Sequence, residues 1–343
     1  MASLPEMLGV DLPVFAAPMA GGPGTPGFVI AAGRAGSMGF LAGGYKTPQA
    51  LAAELTEVDA ASVPYGVNLF APNPLPVDVA EFRRYAAAIA VEAARYRAEL
   101  DVDDPTEDDD GWPAKIDVLR AHPVPLVSFT FGIPAADAIA TLKRTGALLV
   151  QTVTSVDEAR AAADVGIDAL AVQASVAGGH SGTLTPLCPL RDVPLPDLVA
   201  AVHRAVALPV IAAGGVVTAE QVAAVLTAGA DAVAVGTALL RSDEAGTSEV
   251  HRAAVADPSR TATVVTHAFT GRPARGIRNE FIDAYDRIAP YGYPALHHLT
   301  STIRKAAAAA GDPERVHLWA GTGFRQATAE PVATILHRLA SSM

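Results

Sequence analysis

Eight short apolar runs, separated by alanine-rich stretches with helical spacing, constrain this chain more than any other feature. They are Val14–Ala17, Met38–Leu41, Tyr65–Phe70, Leu126–Phe131, Ala147–Thr152, Ala169–Gln173, Pro209–Ala213 and Ala232–Gly236. Their apolar character is continuous rather than alternating, as expected of strands covered on both faces in a parallel sheet. Helix-type stretches lie between them, among them Thr47–Val58, Ala135–Arg144, Val156–Asp164 and Thr218–Thr227, several opened by a Thr or Ser suited to capping. An internal repeat supports the count: GIDALAVQ at Gly166–Gln173 matches GADAVAVG at Gly229–Gly236, with a weaker copy, GALLVQ, at Gly146–Gln151. A glycine that ends each helix before a strand enters the core is what a closed ring of βα units produces. The fold class expected is therefore α/β, a (β/α)8 TIM barrel over residues 1–242. An open doubly wound sheet is the other geometry, but no GxGxxG follows the first strand.

Two segments fall outside the eight-unit pattern. Residues 71–122 read as a helical insertion: a helical stretch over Val79–Leu100, the acidic run DVDDPTEDDD at Asp101–Asp110, then a second helix. Like charges packed together repel, so the acidic run reads as a solvated loop, and it lacks the spacing of a calcium loop. After Asp243 strand periodicity stops, and residues 243–343 read as a smaller C-terminal helical segment packed on the barrel mouth as a lid. WAGTGF at Trp319–Phe324 either returns to that mouth or starts a helix.

Composition narrows the function classes. Half of the 343 residues are hydrophobic and 18% are charged, which excludes a disordered chain. Cys188 is the single cysteine, so a disulfide scaffold and a CxxC zinc site are excluded and a reducing compartment is expected. The N-terminus has no basic start followed by a long apolar run, and apolar stretches such as Leu208–Val217 are short and broken by glycine; neither a leader nor a membrane anchor is expected, and a cytoplasmic location is. The formal net charge of −11 argues against a nucleic-acid partner. A small anionic ligand would need a local reversal of that field.

In a parallel barrel, ligands bind where the strands end, so the residues just after each strand hold the candidates. They include APMAGGPGTPG at Ala17–Gly27, Asn68, Gln173 leading into ASVAGGHSG, AAGGV at Ala212–Val216, and AVGTALL at Ala234–Leu240. Gly214, Gly215 and Gly236 allow the main chain to approach a phosphate, and Thr237 adds a hydroxyl; tight turns alone would also use those glycines. His180 lies in a Gly-Gly-His-Ser-Gly loop without hydrophobic periodicity, and its ordinary pKa suits proton transfer, although a turn-capping histidine would look the same. His203, His251 and His337 fall on helical stretches and read as surface residues. The adjacent His297 and His298 are not expected to converge on one ligand, and no HExxH or Cys-rich spacing exists, so no metal is expected. No GxSxG surrounds a serine, and Cys188 sits in an apolar loop. For a Schiff base, Lys46 is the one weak candidate, since Lys115, Lys143 and Lys305 fall in helical or linker contexts.

These stretches resemble the FMN-dependent nitronate monooxygenases, formerly 2-nitropropane dioxygenases. The resemblance runs through APMAGG, GFLAGGY at Gly39–Tyr45, GVNLF at Gly66–Phe70, VQASVAGGHSG at Val172–Gly182, IAAGGV at Ile211–Val216, AVGT at Ala234–Thr237 and TGRPARGIRNEF at Thr270–Phe281. It implies FMN as cofactor, with Met19 beside the isoalloxazine, Asn68, Gln173 and Gly178 around the ring and ribityl chain, and Gly215, Gly236 and Thr237 at the phosphate. Ala17, Pro18, Gln151, Gly179, Gly214, Ala234 and Val235 complete the implied contact set, and His180 is the implied base. The pattern departs at Ala174 and Val176, where the family usually has glycine and glutamate. The implied reaction takes a small nitroalkane or its nitronate with O2 to a carbonyl compound and nitrite, and a protonated His180 would attract the anion. Related flavin reductases, which pass hydride from NAD(P)H to a quinone or enoyl thioester, share several of these motifs. A flavin- or phosphate-binding barrel without redox work is the reading from a different class.

Overall fold

A computed structural model describes residues 3–102 and 104–342. Its strands are β1 (Val14–Ala16), β2 (Gly39–Ala42), β3 (Tyr65–Ala71), β4 (Leu126–Phe131), β5 (Leu148–Val153), β6 (Ala169–Gln173), β7 (Gly179–His180), β8 (Val210–Ala213), β9 (Ala232–Val235), β10 (Thr263–Thr266) and β11 (Ala274–Ile277). The eight expected runs all form strands, with small shifts at their ends. They close a barrel in the order β1-β2-β3-β4-β5-β6-β8-β9, parallel throughout and sealed by β1 against β9, where Phe15 pairs with Ala234.

Strand alternation decides what fills the barrel. Phe15, Met38, Phe40, Leu126, Val150, Ala169, Ile211 and Ala232 pack inside it, and Leu4 and Val10 join them, so the N-terminal turn plugs that end. Further along the same inward faces come Ala17, Asn68, Ser128, Thr152, Gln173, Ala213 and Gly236, all small or polar, and there the interior opens. A second apolar layer joins the outer strand faces to the ring of helices, as the unbroken apolar runs required.

The sequence repeat has a structural cause. Gly146, Gly166 and Gly229 each adopt positive φ at a helix end, a region glycine enters without a steric penalty. Asp168 then accepts from Leu149 N at 3.0 Å and Asp231 from Val210 N at 2.8 Å. Each repeat aspartate thus ties its own strand to the preceding strand of the barrel.

Two departures from the expected layout position the site. The segment after Asp243 is not wholly helical: β10 and β11 form an antiparallel pair, and β7 adds to it with His180 opposite Ala274. ARGI carries Arg and Gly, so pairing rather than local propensity makes it a strand, while the β-branched TVVT has strand propensity but is only four residues long. The helix Val332–Leu339 packs through Val332, Ile335, Leu336 and Leu339 into the barrel's outer core, so the last place in the ring is taken by the chain's end. Within 71–122, the helix Trp112–Ala121 sits in the ring beside Pro48–Ala60 and Ala136–Lys143. The helix Val79–Arg95 instead packs Phe82, Tyr85 and Ile89 against Phe269, Phe281 and Leu296, with Tyr85 Oη donating to Ala268 O at 2.6 Å. The insertion and the late segment therefore share one core above the barrel. No described helix is long and apolar enough to cross a membrane.

Candidate active site

The strand ends open into a cavity of about 1100 Å³ beneath that shared core, room for a cofactor and a small substrate together. Ala17, Pro18, Met19, Asn68, Gln173, Gly178, Gly179, Gly214, Gly215, Ala234, Val235, Gly236, Thr237 and His180 all line it. Gln151 does not. Its neighbours Val150 and Thr152 face inward, so alternation turns Gln151 outward, where it is fully buried and its Nε2 donates to Thr152 O at 3.1 Å. Asn68 donates to Ser128 Oγ at 2.9 Å and Thr130 Oγ1 at 3.1 Å, fixing a polar belt on the cavity floor. Gln173 holds the β6 loop by donating to His180 O and accepting from Gly182 N.

At one end the cavity wall is bare main chain. A Cβ on Gly178 would come within 2.5 Å of Gly321 N, one on Gly321 within 2.7 Å of Val176 O, and one on Gly215 within 2.9 Å of the Val176 side chain. Those distances admit only glycine. WAGTGF does return to the barrel mouth: Gly321 N donates to Thr237 Oγ1 at 2.9 Å and Thr322 N to Val176 O at 3.2 Å. The loops after β6, β8 and β9 meet the late segment there, leaving the Thr237 hydroxyl proton free to donate into the cavity. Val176, where the resemblance would place glutamate, packs on this cradle.

His180 stands at the other side. Pairing of β7 with β11 fixes its backbone, and its ring lies 5.5 Å from Phe131, 5.8 Å from Tyr293 and 5.5 Å from Trp319, centroid to centroid. Nε2 is 2.9 Å from Thr270 Oγ1. Burial among these rings, reinforced by the charges of Arg272 and Arg304, pushes the imidazole down to about 3. Burial thus disfavours the protonated ring that the sequence reading expected to attract an anion, and nearby cations can supply that attraction instead.

Two guanidiniums the sequence reading did not single out stand nearby, Arg304 on the cavity and Arg272 behind its wall. Arg272 is fully buried, stacks 4.2 Å from the Phe131 ring centroid and donates to Thr183 O at 2.7 Å. Arg304 lines the cavity, donating to Thr300 Oγ1 at 3.1 Å and His297 O at 2.7 Å, with His317 beside it. Burial lowers both to about 10, so both remain charged at neutral pH. Arg304 thus puts a positive charge on one side of a cavity whose other charged lining residues are Lys46, Lys305, Asp108, Asp109 and Asp110. His297, Thr300 and Arg304 follow i, i+3, i+7 spacing on the helix Ala295–Ala309, a one-face signal obscured by the alanines after Lys305. His251 is not a surface residue as expected: it is 8% exposed and lines the cavity, and burial pushes it down to about 4. His297 and His298 both reach the cavity wall, His297 stacked on Tyr45 at 4.1 Å and His298 Nε2 2.9 Å from Asp108.

The acidic run is likewise more than a solvated loop. Asp108, Asp109 and Asp110 border the cavity, and Asp110 accepts from Tyr45 N at 2.9 Å while pairing with buried Lys115 at 2.7 Å. Asp110→Ala would leave that ammonium without its partner and is expected to cost about 3 kcal/mol. Urea unfolding of variant and parent checks it; equal midpoints would remove the pair from the account.

The family model for nitronate monooxygenase matches residues 2–341. The chain belongs to the nitronate monooxygenase family. A protein named probable nitronate monooxygenase from Staphylococcus aureus is 38% identical over 98% of this chain and 95% of its own length. The solved nitroalkane oxidase from Streptomyces ansochromogenes superposes with a TM-score of 0.92 at 44% identity, covering 98% of this chain and 97% of that one. FabK from Thermotoga maritima is more distant, with a TM-score of 0.77 at 25% identity over 100% and 96% of the two chains. In this family member the cradle glycines and His180 border one cavity.

Proposed function

We propose that this family member is an FMN-dependent nitronate monooxygenase that converts alkyl nitronates, and nitroalkanes through them, to carbonyl compounds and nitrite with O2. The observation that carries the reading is the convergence of an uncharged, ring-enclosed His180 and a side-chain-free glycine cradle on one cavity. The residues fit FMN. Gly178, Gly215 and Gly236 would let the main chain reach a phosphate, the Thr237 hydroxyl would donate to it, and Met19, Asn68 and Gln173 would border the ring. Bound there, FMN supplies the electron-accepting chemistry and the reaction with O2.

The chain's own part is proton transfer and positioning. Thr270 Oγ1 lies 2.9 Å from His180 Nε2 and 3.3 Å from Arg272 O. Its single proton goes to that carbonyl, so the hydroxyl accepts from Nε2–H and Nδ1 keeps a free lone pair. A neutral nitroalkane loses its α-proton to that nitrogen, while a nitronate arrives with the proton already gone. Phe131, Tyr293 and Trp319 pack around the ring, which stays partly exposed to the cavity. Over the whole reaction two nitronates and one O2 give two carbonyl compounds and two nitrites, each substrate carbon gaining one oxygen atom as its C–N bond breaks.

The test is product analysis on FMN-loaded protein supplied with a nitronate in air. Equal amounts of nitrite and carbonyl compound, with O2 consumed, are expected. Absence of nitrite while the protein holds FMN would contradict the assignment.

A further inference from the structure

Arg304 is a buried cation without an acid. It is 6% exposed, and among the described residues no carboxylate lies within ion-pair distance of it. Its partners are a hydroxyl, a carbonyl and the imidazoles of His297 and His317, all uncharged or weakly basic. A desolvated guanidinium held by neutral groups has a strong preference for an anion, and here the open side is the cavity.

The surroundings say where that anion sits. His180 is next to Trp319, Trp319 is 5.3 Å from His317, and His317 contacts Arg304. On the other side Arg304 contacts His297, which stacks on Tyr45, whose hydroxyl accepts from Tyr293 at 3.4 Å, and Tyr293 returns to His180. These seven side chains form a closed circuit with the base and the guanidinium across from each other. The glycine cradle adjoins this circuit through Gly178, two residues before His180, and Gly321, two residues after Trp319.

We propose that Arg304 is the substrate's anion anchor, its remaining Nη1–H donating to a nitronate oxygen on the cavity side. The fixed guanidinium charge and that donor favour an anion over a neutral ligand. His297, His317 and Thr300 are positioning residues that aim it. Because a neutral nitroalkane carries far less charge on its oxygens, the anchor makes the site selective for the anion. This assignment rests on the proposed nitronate reaction, but its test does not.

Nitrate is planar, anionic and lacks an oxidisable carbon, so it probes the anchor directly. Calorimetric titration of FMN-loaded protein with sodium nitrate is expected to show saturable binding, weakened roughly 10- to 100-fold in Arg304→Gln and partly restored in Arg304→Lys. The ratio of kcat/KM for ethyl nitronate to that for nitroethane should fall by a similar factor in Arg304→Gln. Unchanged nitrate binding in a variant that retains FMN would overturn the proposal, as would binding seen only in FMN-free protein, which would assign Arg304 to the cofactor's phosphate. Equal losses on nitronate and nitroethane would make the residue structural. If the parent binds nitrate but oxidises no nitronate, the reaction assignment fails and the anchor stands.

Discussion

His180→Asn is expected to lower kcat/KM for a neutral nitroalkane by roughly 10²- to 10⁴-fold, the span of a lost general base, while FMN stays bound. Gly178 of the cradle shares the loop after β6 with His180, but the exchange alters no cradle residue, and asparagine fills part of the same space without a basic nitrogen. Turnover of a preformed nitronate should fall much less, since no α-proton remains to be removed. The pH profile gives an independent handle. A base works only when unprotonated, so activity is lost as pH falls through its pKa. Burial and the two guanidiniums push this imidazole from its ordinary 6.5 down to about 3. The acid limb of kcat/KM for the parent should therefore lie below about pH 5, where an ordinary histidine would already have been silenced. Stopped-time nitrite assays across pH read both effects. A variant with undiminished nitroalkane turnover would remove His180 from proton transfer.

The second large effect is expected at Gly178. Its φ is not in the left-handed region, so Gly178→Ala tests space alone. The new Cβ would meet Gly321 N at 2.5 Å and Ala320 C at 2.6 Å, all main chain, and nothing there is a flexible tip that could step aside. The late segment must lift away, breaking the Gly321 N–H bond to Thr237 Oγ1 and opening the cradle. FMN affinity is expected to drop roughly 100-fold or more, equivalent to losing two charge-assisted hydrogen bonds. Flavin content after dialysis and fluorescence titration with FMN measure it. The barrel itself should keep its melting behaviour, because the contact lies outside the strands. Full flavin content in Gly178→Ala would place the cofactor elsewhere.

What was legible follows from where the determinants lie. The barrel shows in the sequence because strands covered on both faces need unbroken apolar runs, and because the turn glycines and the Asp168 and Asp231 ties recur with each unit. The cradle glycines and His180 show because they sit immediately after strands, where spacing alone marks them. Gln151 lies outside the cavity lining because strand alternation from Val150 and Thr152 turns it outward. The remainder is long-range. Arg304, His251 and His317 acquire their setting from a segment that leaves the barrel at about residue 240 and returns to the ring only at Val332, and no local pattern encodes that route. The strand state of ARGI is set by its partners, and Asp110 departs from a solvated loop only because Lys115 and Tyr45 N are waiting for it.

Anaerobic titration of the purified, FMN-loaded protein, followed by its visible absorbance, tests the central claim most directly. Added propionate 3-nitronate should bleach the oxidised flavin band, NADH should leave it nearly unchanged, and admission of O2 should restore it. Bleaching by NADH with no response to the nitronate would contradict the account and make the protein a reductase. A protein that takes up no FMN at all would contradict the cradle on which the account is built.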